Sequence, residues 1–368
     1  MKTEAAVSRE GQPAPALESL EIETPRAGEV LVRIVASGIC HTDLGAHAGM
    51  GGGAMTPKPV VLGHEGAGVV EEIGEGVASL AVGDHVVMSG ASCGVCPSCR
   101  HNAPSYCHDM LRRNFGGQRP DGSTALSKAG ERVHSHFFGQ SSFSRYSLAP
   151  EPTCVKVPKD VPLEIVAPMG CGVITGSGAV INSLGVGAGE TIAIFGVGGV
   201  GLSAVMAARL VGASRIIAVD VLPDRLTLAA ELGATDVVDS SQGDAVGAIR
   251  EITGHGVNYS FNTTSVPDVW TAALDCLTMQ GVAGFVTAPR GPWAPAMFPM
   301  LAGGKAMKGI LGGDAAPQLF IPMLVDYYRQ GRFPLDRLIR TYAFEDIGQA
   351  FADTGSGRAI KPVLRMAA

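Results

Sequence analysis

Short stretches of alternating apolar and polar positions fill roughly the first 160 residues of the chain. Alternation with a period of two is typical of strands that bury one face. Examples are Val30 to Val35, Val69 to Ile73 and His85 to Met88, which are separated by turns containing Gly or Pro. The pattern predicts a β-rich domain at the start of the chain.

From about residue 170 the pattern changes to buried strands that alternate with helices. The predicted elements are the strand Thr191 to Phe195, the helix Leu202 to Val211, the strand Arg215 to Val219, the helix Arg225 to Leu232 and the strand Thr235 to Val238. Strands that alternate with helices indicate βαβ units and a parallel sheet. The pattern continues to about residue 312.

The last segment begins with a predicted helix, Leu319 to Gln330, and has no pattern for a sheet of its own. We therefore expect it to return to the first domain. The prediction is an α/β protein in which residues 1–170 and 313–368 form a β-rich domain and residues 171–312 form a doubly wound parallel sheet.

Two uncharged runs, Ile165 to Gly189 and Thr191 to Ala208, have the length of a membrane span. Glycines and Pro168 interrupt the first run, and the second divides into a strand, a glycine turn and a helix. Charges interrupt the N-terminus, so no secretory signal is predicted. We expect a soluble cytoplasmic protein, in which thiols stay reduced.

Composition supports a globular protein with about two domains, since the chain has 368 residues, 46% apolar and 17% charged. A net charge of −6 gives no electrostatic footprint for nucleic acid or an anionic membrane. Fifty glycines indicate many tight turns. Four of the eight cysteines fall between residues 93 and 107, which in a reducing compartment favours a metal site.

A glycine-rich turn follows the strand that ends at Phe195: Gly196, Val197, Gly198, Gly199, Val200 and Gly201. This G-x-G-x-x-G pattern between a strand and a helix is typical of dinucleotide binding. Asp220 ends the next strand 19 residues after Gly201, the spacing of a carboxylate that binds the adenosine ribose. Its charge favours NAD over NADP. An ordinary surface turn remains the alternative, and Arg225 either lies against the adenosine or is solvated.

The cluster Cys93, Cys96, Cys99 and Cys107 has the spacing C-x2-C-x2-C-x7-C. Four thiolates complete the tetrahedral coordination of Zn²⁺, so such a site is structural. An iron–sulfur cluster or free thiols are the alternatives.

Three more candidate ligands are scattered: Cys40 in GICHTDL, His64 in GHEGAGVV directly before Glu65, and Cys171 in PMGCGVITG. Two thiolates and one imidazole leave the fourth position of Zn²⁺ open to substrate. Each residue alone is a weak signal, because lone cysteines are usually buried apolar residues, as we expect for Cys154 and Cys276.

Together these motifs resemble the zinc-dependent alcohol dehydrogenases of the medium-chain dehydrogenase/reductase superfamily, over essentially the whole chain. The matching segments are GICHTDL, GHEGAGVVEEIGEGV, the four-cysteine cluster, GCGVITGSGAV, FGVGGVG with Asp220, and GRAIKPVLR. The segments FFGQSSFSRY, VPKDVPLEIVAPMGCG and YRQGRFPLDRLI are most similar to bacterial NAD-dependent aryl- or benzyl-alcohol dehydrogenases.

The resemblance implies a GroES-like catalytic domain built from both chain ends, a Rossmann domain between them and an active site in the cleft. It assigns one catalytic and one structural zinc per chain, with Cys40, His64 and Cys171 as the catalytic ligands. It further implies roles near the zinc, the cofactor and the substrate. These are Glu65 near the zinc and able to exchange with a ligand, Asp43 orienting His64, Thr42 starting the proton relay, His41 and Lys361 contacting phosphates, and Thr175 behind the nicotinamide.

One position departs from the family pattern. Many relatives end the proton relay with a His five residues after the first zinc cysteine, and this position is Gly45 here. His47 is a candidate substitute, with an ordinary loop His as the alternative; His41 or ordered water are further candidates.

By the same resemblance, Ser89, Phe137, Phe138, Thr287 and Ala288 lie near the substrate or nicotinamide. A small Ser89 and two aromatic walls favour primary aromatic or allylic alcohols over ethanol. Leu111 replaces the anion-binding Arg that glutathione-linked formaldehyde oxidation needs, although Arg112 and Arg113 are adjacent. The competing hypotheses are a zinc-free quinone or enoyl reductase of this fold and a non-catalytic binding relative. A homodimer or homotetramer is expected.

Overall fold

The computed structural model describes residues 1–366, which form eighteen strands and twelve α-helices. The strands in chain order are β1 (Lys2–Ser8), β2 (Ala16–Ile22), β3 (Glu29–Gly38), β4 (Val60–Val61), β5 (Glu65–Ile73), β6 (His85–Met88), β7 (Leu126–Lys128), β8 (Glu131–Val133), β9 (Tyr146–Pro150), β10 (Cys154–Val157), β11 (Thr191–Phe195), β12 (Arg215–Asp220), β13 (Asp236–Asp239), β14 (Val257–Asn262), β15 (Leu277–Phe285), β16 (Ala306–Gly309), β17 (Ile339–Ala343) and β18 (Lys361–Arg365).

The helices are mostly short. They are α1 (His41–His47), α2 (Pro97–Arg100), α3 (Met110–Phe115), α4 (Leu163–Val166), α5 (Gly172–Gly178), α6 (Gly199–Leu210), α7 (Pro223–Leu232), α8 (Ala245–Thr253), α9 (Pro267–Asp275), α10 (Met297–Gly303), α11 (Pro317–Arg329) and α12 (Ile347–Gly355). A π-helical stretch, Ala179–Leu184, continues α5. Single 3₁₀ turns connect several of the other elements.

The chain divides into two compact units. One comprises Met1–Cys171, Ala316–Gly331 and Leu335–Ala368, and the other comprises Gly172–Ala315 and Arg332–Pro334. The predicted boundaries, after residues 170 and 312, lie one and three residues before these divisions. The short segment that joins the second unit late in the chain has no sequence signal.

Within the described part of the first unit, two mixed or antiparallel sheets carry the core. Their strand orders are β4-β1-β2-β7-β8 and β10-β6-β5-β3-β18-β17, with β9 also pairing β3. The strand β3 is central, because β5 lies along one edge while β9 and β18 share the other edge. The C-terminal strand therefore lies beside the residues that lead into Cys40. The largest core side chains include Phe137, Phe143 and Ile34.

In the second unit, the described strands form one parallel sheet in the order β13-β12-β11-β14-β15-β16. The order reverses between β11 and β14, which is the switch point where α/β proteins bind nucleotides. A parallel sheet with its order reversal, together with a β-rich unit built from both ends of the chain, agrees with the predicted α/β fold class.

Some elements start earlier than the alternation predicts. The strands β6 and β11 have their predicted bounds, whereas α6 begins at Gly199 instead of Leu202, so the glycine motif itself forms the first helical turn. The strand β5 begins at Glu65 instead of Val69. Its glycine-rich start pairs with the end of β3, where a Cβ at Gly68 would overlap the Arg33 carbonyl oxygen. Glycine thus permits pairing that an apolar-polar pattern does not reveal.

The two long uncharged runs fold as several elements each. Among residues 1–366 no single helix is long and apolar enough to cross a membrane. One bent pair, Leu163–Gly170 with Gly172–Leu184, meets the length and composition criteria only when taken together.

Candidate active site

The three scattered ligand candidates come together in the first unit. Cys40 lies between β3 and α1, His64 directly precedes β5, and Cys171 directly follows the turn after α4. Their ligand atoms and one carboxylate oxygen of Glu65 all lie within 4.8 Å of one another. Residues separated by more than 100 positions therefore form one cluster with the donor set of a zinc site.

Asp43 fixes the imidazole of His64. Its Oδ1 lies 2.9 Å from His64 Nδ1, and both side chains are fully buried. The carboxylate also accepts hydrogen bonds from the backbone N–H groups of Cys40, at 3.0 Å, and Gly63, at 3.1 Å. Because a carboxylate only accepts, Nδ1 carries the proton and Nε2 keeps its lone pair for a metal.

The remaining donor atoms fit a divalent cation. His64 Nε2 is buried and has no hydrogen-bond partner among residues 1–366, as expected of a nitrogen that binds metal. The contact with Cys171 holds the pKa of the Cys40 thiol well below its usual value, and the same contact raises the pKa of Cys171. Two sulfur atoms and one imidazole nitrogen match a catalytic zinc site with an open fourth position.

Glu65 forms an ion pair that changes one prediction. Lys361 Nζ lies 2.9 Å from both carboxylate oxygens of Glu65, and both side chains are buried. Burial alone would lower the pKa of Lys361, but the charges of Glu65 and Cys40 raise it above its usual value. The expectation that Lys361 contacts a phosphate is therefore corrected: its ammonium group is taken up by Glu65, because β18 pairs with β3.

The first two residues of helix α1 are His41 and Thr42, whose predicted roles stay predictions. Thr42 is half-buried, and its Oγ1 lies 3.8 Å from Cys40 Sγ. His41 is the exposed first residue of the helix. The hydroxyl of Thr42 thus lies at the edge of the metal cluster, where it can accept and donate a proton.

His47 lies in the same helix, but its ring makes hydrogen bonds away from the metal cluster. Its Nδ1 is 2.7 Å from Ser8 Oγ, its Nε2 is 2.9 Å from the Gln12 carbonyl oxygen, and its ring packs edge-on against Phe351. Burial lowers its pKa below the usual histidine value. The prediction that His47 ends a proton relay is corrected, because both ring nitrogens are used to join α1 to the N-terminal loop.

The two aromatic residues predicted to line the substrate pocket, Phe137 and Phe138, have different surroundings. The ring of Phe138 stacks on that of His64 with centroids 4.6 Å apart, whereas Phe137 is 0% exposed. Phe137 packs edge-on against both rings from behind. The prediction that Phe137 forms a pocket wall is corrected, since this side chain belongs to the core and supports Phe138. Ser89 is buried and donates to the Gly170 carbonyl oxygen at 2.8 Å.

Gln140 is absent from the residues predicted above. It is 1% exposed, and its amide binds backbone groups of His64, Gly66 and Ser89. The sequence signal that could have identified Gln140 is its place in FFGQSSF, where one amide side chain comes shortly after two aromatic residues. Such a side chain has to find hydrogen-bond partners once it is buried.

The four clustered cysteines form a second candidate metal site. Their sulfur atoms lie within 4.8 Å of one another, with 3.5 Å between Cys96 and Cys99 and 3.9 Å between Cys93 and Cys99. Tetrahedral zinc with bonds of about 2.3 Å has sulfur atoms roughly 3.8 Å apart. Hydrogen bonds from the backbone of His108 and Cys99 lower the pKa of Cys96 to about 6, which favours the thiolate that zinc binds. The geometry fits a closed structural site.

The remaining two of the eight cysteines lie outside both clusters. Cys154 and Cys276 are fully buried, and burial raises the pKa of each thiol to about 12. They are apolar core residues, not metal ligands.

In the second unit, the glycine motif follows β11 at the carboxyl edge of the sheet. Gly196 has a φ of +81°, and a Cβ at Gly201 would overlap the Gly196 carbonyl oxygen. At Gly198, by contrast, the nearest atom to an added Cβ is 3.9 Å away, on Arg225. Gly196 and Gly201 therefore serve the turn itself, and Gly198 leaves open space above it, which suits a pyrophosphate at the start of α6.

Asp220 stands at the end of the neighbouring strand and holds the glycine loop. Its Oδ2 accepts from the Val197 N–H at 2.8 Å and lies 3.8 Å from an Arg225 nitrogen. Its Oδ1 accepts from the N–H groups of Val221 and Leu222. The carboxylate is thus fixed at the position from which a Rossmann domain binds a ribose.

The other predicted cofactor residues lie along this half of the chain. Thr175 is half-buried in α5, while Thr287 and Ala288 are exposed just after β15. The Thr287 hydroxyl donates to the Thr264 carbonyl oxygen at 2.6 Å. The carboxyl ends of β11, β12, β14 and β15 thus carry the glycine loop, Asp220 and Thr287 on one edge of the parallel sheet.

Comparison with known proteins gives matches over nearly the whole chain. Residues 26–159 match the alcohol dehydrogenase GroES-like domain, and residues 199–326 match the zinc-binding dehydrogenase family. A geraniol dehydrogenase from Castellaniella defragrans is 46% identical over 99% of this chain and 98% of its own length.

Two crystal structures have the same fold over the full length of both chains. One is an alcohol dehydrogenase zinc-binding domain protein from Burkholderia ambifaria, with 49% identity and a TM-score of 0.96. The other is the benzyl alcohol dehydrogenase of Acinetobacter calcoaceticus, with 43% identity and a TM-score of 0.94.

Proposed function

The chain belongs to the zinc-dependent alcohol dehydrogenases of the medium-chain dehydrogenase/reductase superfamily, and from this membership we propose that it oxidises primary aromatic and allylic alcohols to aldehydes. The hydride acceptor is NAD, and the reaction is reversible. The observation that carries the proposal is the buried cluster of Cys40, His64 and Cys171, whose donor set leaves a zinc position open.

Zinc held by these three side chains supplies a Lewis acid that lowers the pKa of an alcohol hydroxyl. The chain's own residues then handle the proton and the geometry. Asp43 keeps His64 in the tautomer that presents Nε2. Thr42, beside Cys40, would accept the hydroxyl proton and give its own proton to His41 or to ordered water, since both nitrogens of His47 are occupied.

NAD supplies the hydride acceptor, and the second unit provides its binding groups. The helix α6 starts directly after Gly198, where an added Cβ would meet no atom nearer than 3.9 Å, and the free N–H groups of its first turn would bind the pyrophosphate. Asp220 accepts the ribose hydroxyls and repels a 2′-phosphate, so NAD is preferred to NADP. Thr175 and Thr287 position the nicotinamide end.

The substrate class follows from the side chains around the metal cluster. Ser89 contributes little volume, and Phe138 offers an aromatic ring against His64. An aromatic or allylic substrate stacks on such a ring better than ethanol does. The geraniol and benzyl alcohol dehydrogenases among the relatives support this class. Arg112 and Arg113 both pair with Asp109, which disfavours an anionic glutathione adduct.

We further propose a cytoplasmic homodimer or homotetramer. Exposed apolar side chains support association: Met297, Phe298 and Leu301 of α10 are 69%, 77% and 81% exposed. Patches of this kind commonly mark protein interfaces. Free cysteines at two metal clusters suit a reducing compartment.

An alcohol panel tests the proposal. With NAD in excess, NADH absorbance gives kcat/KM for geraniol, benzyl alcohol and ethanol. We expect the first two to exceed ethanol by at least about tenfold, since burying several more CH₂ groups adds about 0.8 kcal/mol each. A preference for ethanol, or no NADH from any alcohol, would reject the proposed substrate class or the activity.

A further inference from the structure

Gln140 bridges two segments that carry metal ligands. Its Oε1 accepts a hydrogen bond from the Gly66 N–H at 3.0 Å. Its Nε2 donates to the carbonyl oxygens of His64, at 3.1 Å, and Ser89, at 3.4 Å. The amide is 1% exposed, so water does not compete for these bonds.

The bonds continue from Ser89 to the other ligand segment. Ser89 Oγ donates to the carbonyl oxygen of Gly170, the residue directly before Cys171. A continuous series of hydrogen bonds therefore runs from His64 through Gln140, Ser89 and Gly170 to the backbone next to Cys171. Phe138, from the same loop as Gln140, stacks on His64 and restrains its ring as well.

Close packing leaves these segments little room to shift. A Cβ at Gly170 would overlap the Met88 carbonyl oxygen, and one at Gly66 would lie 2.6 Å from Ser142 Cβ and 3.0 Å from Gln140 Oε1. Gly66 thus allows its backbone to approach the Gln140 amide directly, and Gly170 allows its backbone to pack against the end of β6, next to Ser89.

The loop that carries Gln140 has an unusual backbone. His136, Phe138 and Ser141 have φ values of 63°, 51° and 56°, a region that residues other than glycine seldom occupy. Neighbouring groups enforce it: Ser141 Oγ donates to the Val61 carbonyl oxygen at 2.6 Å, and Ser147 Oγ donates to the Gln140 carbonyl oxygen. Such strain persists only where the surroundings over-determine it, which is common at functional sites.

We propose that Gln140 is a positioning residue for the catalytic metal, whose amide holds the His64 and Cys171 segments at the separation that zinc requires. The inference rests on the zinc site of the proposed function and adds a residue that touches neither metal nor substrate. Removing a group that hydrogen-bonds to a metal ligand typically weakens metal affinity about 10–100-fold. Because Gln140 acts through backbone, we expect an effect near the lower end of this range.

The test uses Gln140→Met, which keeps the length of the side chain and removes its hydrogen bonds. The matched control is Asn114→Leu, because Asn114 is 3% exposed and also makes three hydrogen bonds to backbone, with Ala91 and Met110. The first readout is zinc release to a chromophoric chelator, without substrate. Zinc in the two sites is expected to be released in two phases. The phase that is absent from Cys171→Ala is the one that reports the catalytic site.

We expect Gln140→Met to release this zinc about tenfold faster, and Asn114→Leu to release it at the wild-type rate. The visible spectrum of the enzyme with Co²⁺ at this site should shift in Gln140→Met alone, because the ligand geometry changes. If Gln140→Met does not fold, Ser89→Ala breaks the same series of bonds and should also accelerate release.

Wild-type release and an unchanged cobalt spectrum in the folded variant would overturn the positioning role. Equal acceleration in Asn114→Leu would overturn it too, because the effect would then be general loosening. A wild-type protein that binds no zinc at this site would instead overturn the proposed function, and this inference with it.

Discussion

At the scale of single residues, two buried carboxylates beside the metal cluster have different environments. Asp43 accepts from two backbone N–H groups and from His64, so its charge is spread over three hydrogen bonds. Glu65 is instead paired with Lys361. Burial raises the pKa of Glu65, whereas the Lys361 charge opposes this effect. Asp43 is therefore suited to orienting a ligand, while Glu65 is held by a cation.

The substitution His47→Ala tests whether the imidazole takes part in the reaction. We expect the pH dependence of kcat/KM to stay the same, because His47 bonds Ser8 and Gln12 and not the cluster. The free energy of unfolding should fall by about 1–3 kcal/mol, since two polar groups lose a partner. Urea unfolding and pH-rate profiles measure the two effects. A large loss of activity restored by free imidazole would show that His47 does carry the proton.

At the scale of elements, β3 assembles much of the candidate site. Its first half pairs with β9, its second half pairs with β18, and β5 runs along the other edge. A Cβ at Gly38, near its end, would overlap a carboxylate oxygen of Glu65. One strand thus brings together Cys40, the His64–Glu65 segment and Lys361.

The glycine turn before α6 allows a paired test of cofactor binding. Gly198→Ala should fold with a loss below about 1 kcal/mol, since its Cβ meets nothing within 3.9 Å. It should weaken NAD binding about 10–100-fold, because it crowds hydrogen bonds to a charged group that contribute about 1.5–3 kcal/mol.

Gly201→Ala is the contrasting variant. Its Cβ overlaps the Gly196 carbonyl oxygen, so we expect about 1–3 kcal/mol lower stability. Isothermal titration with NAD and thermal unfolding separate the two variants. Unchanged NAD affinity in Gly198→Ala would place the pyrophosphate elsewhere.

A buried ion pair at the start of β3 predicts a pH-dependent stability. Glu29 pairs with Arg119 at 2.6 Å, and His136 lies nearby. Burial alone would raise the pKa of Glu29, but the nearby His136 and the hydrogen bonds from Arg119 and the Arg26 backbone N–H hold it well below its usual value. The pair therefore stabilises the fold above the unfolded pKa of about 4.3, and this contribution is lost as the pH falls.

For Glu29→Gln we expect about 3 kcal/mol lower stability at pH 7, because the buried Arg119 loses its buried counter-ion and keeps only the half-exposed Glu23, 2.9 Å away. The difference from wild type should shrink by about 1–2 kcal/mol at pH 3. Urea unfolding between pH 7 and pH 3 measures it. The control Glu4→Gln breaks an exposed pair with Arg145 and should change stability by less than about 1 kcal/mol. A difference that is constant down to pH 3 would contradict the assignment.

At the scale of the whole molecule, periodicity predicts the two kinds of unit, because strand alternation and βαβ units are local patterns. Ligand spacing within the four-cysteine cluster is local as well. The partner of Lys361 is 296 residues away and is set by which strand β18 pairs with, which no local pattern specifies. The hydrogen bonds of His47 and Gln140 depend in the same way on distant chain segments. Resemblance to a family predicts which residues belong to the site. The contacts that each of these residues makes are decided by tertiary packing.

The proposed activity depends most on zinc held by Cys40, His64 and Cys171, so the decisive measurement is zinc content and NADH production on the same sample. Wild-type protein should contain about two zinc ions per chain and form NADH from benzyl alcohol. Cys171→Ala should retain about one zinc ion, in the four-cysteine site, and lose at least about 10³-fold in kcat/KM, because several kcal/mol of charge stabilisation depend on the metal. Wild-type activity in Cys171→Ala, or in protein that contains no zinc, would contradict the account and revive a zinc-free reductase of this fold.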